Sequence, residues 1–173
     1  MSRTVRRILM AAISCPLLAG CAGYHVGAIK PTFMQGINTI DVPTFRNETL
    51  IPRIEVLATD TVIRQIQEDG TYKVASSSDK ADAVLEAEIT NITRRSERSV
   101  LGDVQATQEF EMTIGIHYRV VRKATGEVVE DKSVTGTTDF FVSADVNQDE
   151  RQAIPLAMGH AAVRIVSDLS EGW

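Results

Sequence analysis

Glu109-Phe110-Glu111-Met112-Thr113-Ile114-Gly115-Ile116-His117-Tyr118-Arg119-Val120 is the stretch that decides the fold. Phe110, Met112, Ile114, Ile116, Tyr118 and Val120 stand at every second position, with Glu109, Glu111, Thr113, Gly115, His117 and Arg119 between them. Successive side chains of a strand point to opposite faces. An alternation sustained this long therefore predicts one strand with an apolar face on a core and a polar face turned away from it. An apolar sheet face needs a covering layer.

Working outward, Ala124-Thr125-Gly126 reads as a turn into a long strand from Glu127 to Val142. Upstream, Leu85, Ala87 and Ile89 alternate with Glu86, Glu88 and Thr90. Tyr72-Lys73-Val74 opens that extended region, which the loop Ser76 to Asp79 interrupts. Nearer the start, Ile37 to Val42 alternates apolar and polar and is closed by Pro43, a strand signal.

Two helices flank the central strands. The first starts near Pro52, since proline suits a first helical turn. It carries Ile54, Leu57, Ala58, Val62 and Ile66 at helical spacing and stops at Asp69-Gly70. The second runs from Asp149 to Ser170 with Ile154, Met158, Ala161, Ala162, Ile165 and Leu169 as its stripe. Pro155 requires that this helix either begin close to it or bend there. The order is β-α-β-β-β-α. It predicts an α+β two-layer sandwich, a mixed four-stranded sheet with both helices on one face and its first two strands parallel.

The first 36 residues belong to a different kind of segment. Arg3, Arg6 and Arg7 precede an apolar run from Ile8 to Leu18, and Leu18-Ala19-Gly20-Cys21 follows. That order is a secretory signal peptide of residues 1–20 with a lipobox. The run is too short to span a bilayer. Cys21 is thus expected to become the first mature residue and to carry diacylglycerol and an N-acyl chain, with residues 21–36 as a lipidated tether and 37–173 as one domain. Lipid on Cys21 would hold the chain to a membrane leaflet, since stable anchoring takes more than one acyl chain. No cofactor beyond that lipid is expected. With the leader gone, 15 basic residues face 23 acidic ones, a net charge of −8, which argues against a nucleic-acid partner. Cys15 leaves with the leader, so no thiol remains for a disulfide, a metal or a nucleophile.

Catalytic patterns are missing. His25, His117 and His160 show no ligand spacing, and no nucleophile elbow or phosphate-binding glycine loop occurs. Glu86 with Glu88 and Glu109 with Glu111 are what a polar sheet face looks like. The expectation is a protein that is not an enzyme. Arg94-Arg95-Ser96-Glu97-Arg98 stands out in an acidic chain, in the connection after the second strand. Arginine forks match phosphate geometry, so Arg94, Arg95 and Arg98 are candidate ligands for a phosphorylated sugar; a solvated turn would look the same. Arg122-Lys123 lies in the next hairpin turn, at the opposite end of the sheet. Phe140-Phe141 must send one ring to each face.

Several short motifs, in order, resemble one family. They are Cys21-Ala22-Gly23-Tyr24-His25-Val26-Gly27, Ile40-Asp41-Val42-Pro43-Thr44-Phe45-Arg46-Asn47-Glu48-Thr49, Pro52-Arg53-Ile54-Glu55, Ala81-Asp82-Ala83-Val84-Leu85-Glu86, and Ala153-Ile154-Pro155-Leu156-Ala157 with Trp173. Together they resemble the lipopolysaccharide-assembly lipoproteins of the LptE family. The resemblance implies an outer-membrane lipoprotein on the periplasmic side, held in the inner leaflet of that membrane. It implies that the chain plugs and helps assemble an LptD-type β-barrel, and that it binds lipopolysaccharide and assists its insertion into the outer leaflet. A polar sheet face suits a polar barrel lumen, so Glu109, Glu111 and His117 are candidate barrel contacts. Two rivals remain open. One is a lipoprotein that activates a peptidoglycan synthase, against which the short tether weighs. The other is a secretion-channel lipoprotein, against which the carboxylates of the polar face weigh.

Overall fold

A computed structural model of the chain describes residues 30–98, 108–142 and 146–172. Cys21, His25, the whole leader and Trp173 lie outside the described residues. Strands β1 (Thr39–Asp41) and β2 (Arg46–Asn47) precede helix α1 (Ile54–Asp69). The two-residue β3 (Lys73–Val74) follows, then the long strands β4 (Ala83–Arg98), β5 (Gln108–Arg122) and β6 (Val128–Val142), and helix α2 (Val146–Glu171) closes the fold. The order across the sheet is β3-β1-β4-β5-β6, with β2 also paired to β4. β1 runs parallel to both β3 and β4, whereas β4, β5 and β6 are antiparallel.

The α+β class, the mixed sheet and the two helices agree with the sequence reading, but the sheet holds six strand segments rather than four. β1 and β2 are two pieces of one lane along β4, pairing at Ile40 with Ala83 and at Arg46 with Glu88. The lane breaks around Pro43, which has no N–H to give a ladder. β3 is too short to carry a period. It exists because Lys73 N–H donates to Asn38 O at 2.9 Å and Ala75 N–H to Ile40 O at 2.8 Å.

Both helices cover one face and share a single core with the strands. Ile54, Ala58, Val62 and Ile66 of α1 and Ala157, Ala161, Ile165 and Leu169 of α2 are buried with Leu85, Ile89, Ile114, Ile116 and Tyr118. Gly70 ends α1 at φ 76°, its N–H returning to Ile66 O at 3.1 Å. Helix α2 contains Pro155 in its interior, beginning three residues earlier than the apolar stripe indicated. The buried Thr59 hydroxyl donates to Glu55 O and accepts from Phe45 N–H, which pins the broken β1–β2 lane to α1.

β4 carries the feature that orders the site. Ile89 pairs with Ile116, but Asn91 pairs with Gly115, so one extra residue is inserted at Thr90. A Cβ on Gly115 would stand 2.0 Å from Asn91 Oδ1 and 2.9 Å from Thr90 Oγ1. The Asn91 and Thr90 side chains fold over the space that the glycine leaves open. The bulge changes the parity of β4: before it Leu85, Ala87 and Ile89 face the helices, and after it Ile92, Arg94 and Ser96 do. A second close approach lies on β6, where a Cβ on Gly136 would meet Ala157 O at 2.0 Å and Ala161 N at 2.5 Å. The backbone of α2 therefore rests directly on the strand.

Polar groups inside the fold are paired. Tyr72 Oη donates to Leu169 O, and Tyr118 Oη donates to Asp168 Oδ2 at 2.9 Å. Burial, aided by Asp69, pushes the Tyr72 phenol from 10.0 up to about 12. Burial also drives Tyr118 far above the usual tyrosine range, with the Asp168 hydrogen bond adding to it. At the edge of the sheet, Asp82 accepts from Asn38 N–H, Thr39 Oγ1 and Thr39 N–H, which holds its carboxyl below the usual carboxylate range.

Two predictions follow from these contacts. Gly136→Val forces α2 off β6 and is expected to cost about 1–3 kcal/mol, measured by urea unfolding; an unchanged midpoint would show that the helix does not rest there. Folding raises the Tyr72 pKa, so its stabilisation is complete below pH 10.0 and is lost as the pH rises through about 12. Tyr72→Phe should lower stability at pH 7 by about 1 kcal/mol. It should also flatten the alkaline loss of stability, read from thermal melts across that window.

Candidate functional site

The bulge at Thr90 divides the arginine cluster. Arg94 and Arg95 lie inside β4, not in a connecting loop, because the antiparallel ladder to β5 continues to the pair of Arg98 with Glu109. Neighbouring strand residues take opposite faces, so the arginines do not form one cluster. Arg94 is on the helix side. It ion-pairs with Glu150 in the first turns of α2 and lies over the Phe110 ring at 5.1 Å. Phe110 in turn stacks on Phe140 with centroids 5.9 Å apart. Arg95 is on the outer face, opposite Glu111, exposed and with no hydrogen-bond or ion-pair partner among the described residues. The register sets Arg98 opposite Glu109.

Phe140 and Phe141 divide as their adjacency requires: Phe140 is buried and Phe141 is 61% exposed. Arg122 and Lys123, at the other end of the sheet, are occupied. Arg122 donates to Phe33 O and Gln35 O, and Lys123 to Ser78 O and Oγ.

The outer face of the three long strands is polar over most of its length, carries the exposed Phe141 ring opposite Glu109, and has no described layer over it. It carries Glu86 and Glu88 from β4, Glu109, Glu111, Thr113, His117 and Arg119 from β5, and Asp131, Ser133, Thr135, Thr137 and Asp139 from β6. Arg119 Nε and Nη2 both reach Glu86 Oε2, at 2.7 and 2.6 Å. His117 Nδ1 lies 3.3 Å from Ser133 Oγ, and its Nε2 lies 3.4 Å from Asp131 Oδ1. These groups surround an open cleft of about 400 Å³ whose other wall is Pro43, Thr44 and Arg46. No charge is trapped in it, since Arg119, Glu86 and Asp131 are each about half exposed.

Glu109, Glu111 and His117 therefore share one face, with His117 in the cleft and the two glutamates nearer the arginine end. The sequence reading missed Arg46, Glu150 and Asp131. Asp131 stands opposite Arg119 only through the β5–β6 register, and Glu150 meets Arg94 only because α2 begins over the far end of the sheet. Among the described residues, no group of three or more His, Cys, Asp or Glu side chains could hold a metal ion. No described helix is long and apolar enough to cross a membrane.

The family model LptE, lipopolysaccharide-assembly, matches residues 37–169, which is most of the chain. The chain belongs to the LptE lipopolysaccharide-assembly family. The matched residues run from just before β1 to the last turn of α2, so the family's domain is the two-layer fold described above. No curated protein matches the sequence. Several solved structures share the LptE-like fold. A PelC dodecamer from Paraburkholderia phytofirmans is 19% identical with a TM-score of 0.52, over 82% of this chain and 94% of that one. A protein from Xanthomonas campestris is 17% identical with a TM-score of 0.54, over 80% and 88%. A minor lipoprotein from Acinetobacter baumannii is 11% identical with a TM-score of 0.50, over 77% and 92%. At these identities the likeness is one of fold.

The Arg94–Glu150 pair is partly exposed, with side chains 42% and 31% accessible. A double-mutant cycle of Arg94→Ala and Glu150→Ala should therefore give a coupling of no more than about 1 kcal/mol. A coupling several times larger would mean that the pair is a structural lock.

Proposed function

We propose that this LptE-family chain is an outer-membrane lipoprotein, anchored on the periplasmic side by lipid on Cys21, that plugs an LptD-type β-barrel and assists lipopolysaccharide insertion. The observation that carries this reading is the outer sheet face. Apart from the exposed Phe141 ring opposite Glu109 it is polar from Asp131 to Glu109, is covered by no described layer, and holds the Arg119–Glu86 pair half exposed. Such pairs contribute little to stability in water and exchange readily for a partner's polar groups. A barrel lumen offers polar side chains of that kind, and Glu109, Glu111 and His117 are the contacts assigned to it.

Lipopolysaccharide phosphates are assigned to the arginine end. Arg95 presents a guanidinium there with no partner among the described residues, and Arg98 follows it in register opposite Glu109. Arg94 joins them only by leaving Glu150. The chemistry required of the chain is binding and positioning; nothing in this mechanism asks it to make or break a bond.

The test is a pull-down of C-terminally tagged protein from detergent-solubilised membranes, with photo-crosslinking residues at Arg95 and at Glu111. The expected result is a near-stoichiometric β-barrel adduct at 111 and a lipopolysaccharide adduct at 95. Recovery of a peptidoglycan synthase, or of no partner, overturns the plug reading.

A further inference from the structure

Helix α2 changes character at Pro155, which stands in its interior. Proline has no N–H to give Arg151 O, and its ring presses on that carbonyl, so the helix ladder is interrupted there. Past the proline Met158, Ala162, Ile165 and Leu169 are buried in the core. Before it, no residue from Val146 to Gln152 is buried, and the first buried residue of the helix is Ala153. Those first turns meet the sheet at Glu150, whose carboxylate pairs with Arg94, both side chains being partly exposed. Arg94 lies over the Phe110 ring at 5.1 Å, and Phe110 stacks on Phe140. Exposed apolar side chains flank this end of α2: Val146 at its start and Leu156 just past the proline.

We propose that residues 146–152 form a releasable strap, hinged at Pro155 and clasped by Glu150 on Arg94, and that an anionic amphiphile opens it by taking Arg94 from Glu150. A helical segment that buries no residue is held by its own ladder and by surface contacts, and Pro155 separates that ladder from the packed part of α2. A partly exposed ion pair is weak, so a competing anion displaces Glu150 readily. The guanidinium stands on an aromatic pair. The ligand that gains most there carries a phosphate for the arginine fork and an apolar body for the ring beneath it. The coupling runs both ways: a ligand on Arg94 releases the strap, and a released strap leaves Arg94 free for the ligand. The choice of a phosphorylated amphiphile rests on the arginine end taking lipopolysaccharide phosphates; the strap and its hinge do not.

The experiment reads hydrogen exchange at the 150–154 amides of the full chain in dodecyl maltoside, against the 158–169 amides of the same helix. Exchange at 150–154 should be roughly 10-fold faster or more, and equal rates overturn the strap. Glu150→Gln should speed it a further 3-fold to 5-fold or so while leaving 158–169 unchanged, the shift that a weak ion pair controls; no change overturns the clasp. Pro155→Ala supplies the missing N–H and should slow 150–154 toward the rest of the helix, and undiminished exchange there overturns the hinge. Added dodecyl phosphate should bring the parent to the rate of Glu150→Gln and leave Arg94→Gln, already open, where it was. Inorganic phosphate at the same concentration should have a smaller effect. A parent that does not answer to dodecyl phosphate overturns the proposal, and a lipopolysaccharide adduct at 95 in that case leaves the phosphate reading standing. A strap that opens while 95 gives no such adduct overturns the phosphate reading and upholds the strap.

Discussion

One extra residue at Thr90, inserted where β4 pairs with Gly115 of β5, is the constraint that decides which side chains of β4 reach the core. A strand's side chains alternate strictly, so a single inserted residue exchanges its two faces from that point on. Without the insertion at Thr90, the ladder beyond Ile89 would turn Asn91, Thr93 and Arg95 toward the helices and Ile92 toward water. With it, Ile92 packs against the core and the apolar face of β4 continues past its midpoint. A Cβ at position 115 would displace the ends of the exposed Asn91 and Thr90 side chains, whereas the bulge itself is set by the register of the ladder.

The same insertion decides what the arginines can do. It sends Arg94 to the helix side, where Phe110 and Glu150 receive it, and leaves Arg95 on the outer face with no partner among the described residues. One arginine joins the end of the sheet to the start of α2, while its neighbour stands exposed on the outer face opposite Glu111. The outer face follows a related logic. Its Arg119–Glu86 ion pair is half exposed, so water already competes for it.

The two ends of the sheet have different tasks. At the end marked by Ala83 and Arg122, the segment before β1 is bound tightly. Lys30 donates to Ile37 O and Asn38 Oδ1, and Arg122 and Lys123 donate to backbone carbonyls. At the other end are Arg94, Arg95 and the Phe110–Phe140 stack. Arg95 lies twelve residues along β4 from Ala83, roughly 40 Å at about 3.3 Å per residue.

Residue pattern alone determined the strands, the helices and their faces wherever an element was long enough to show its period. β5 alternates over its whole length, both helices carry stripes set by the 3.6-residue turn, and Gly70 and Gly126 occupy positive φ where those elements turn. Each of these outcomes is local, because it follows from which neighbours along the chain share a face. The tertiary structure decided the rest. β2 and β3 are two residues each and exist only through the backbone partners that other strands supply. Arg94 to Arg98 read as a loop because the run does not alternate, yet the ladder from β5 holds it extended. Which arginine is engaged by Glu150 depends on one extra residue at Thr90 and on where α2 begins. Neither is encoded in the spacing of the arginines, since both arise from pairings between residues far apart in sequence.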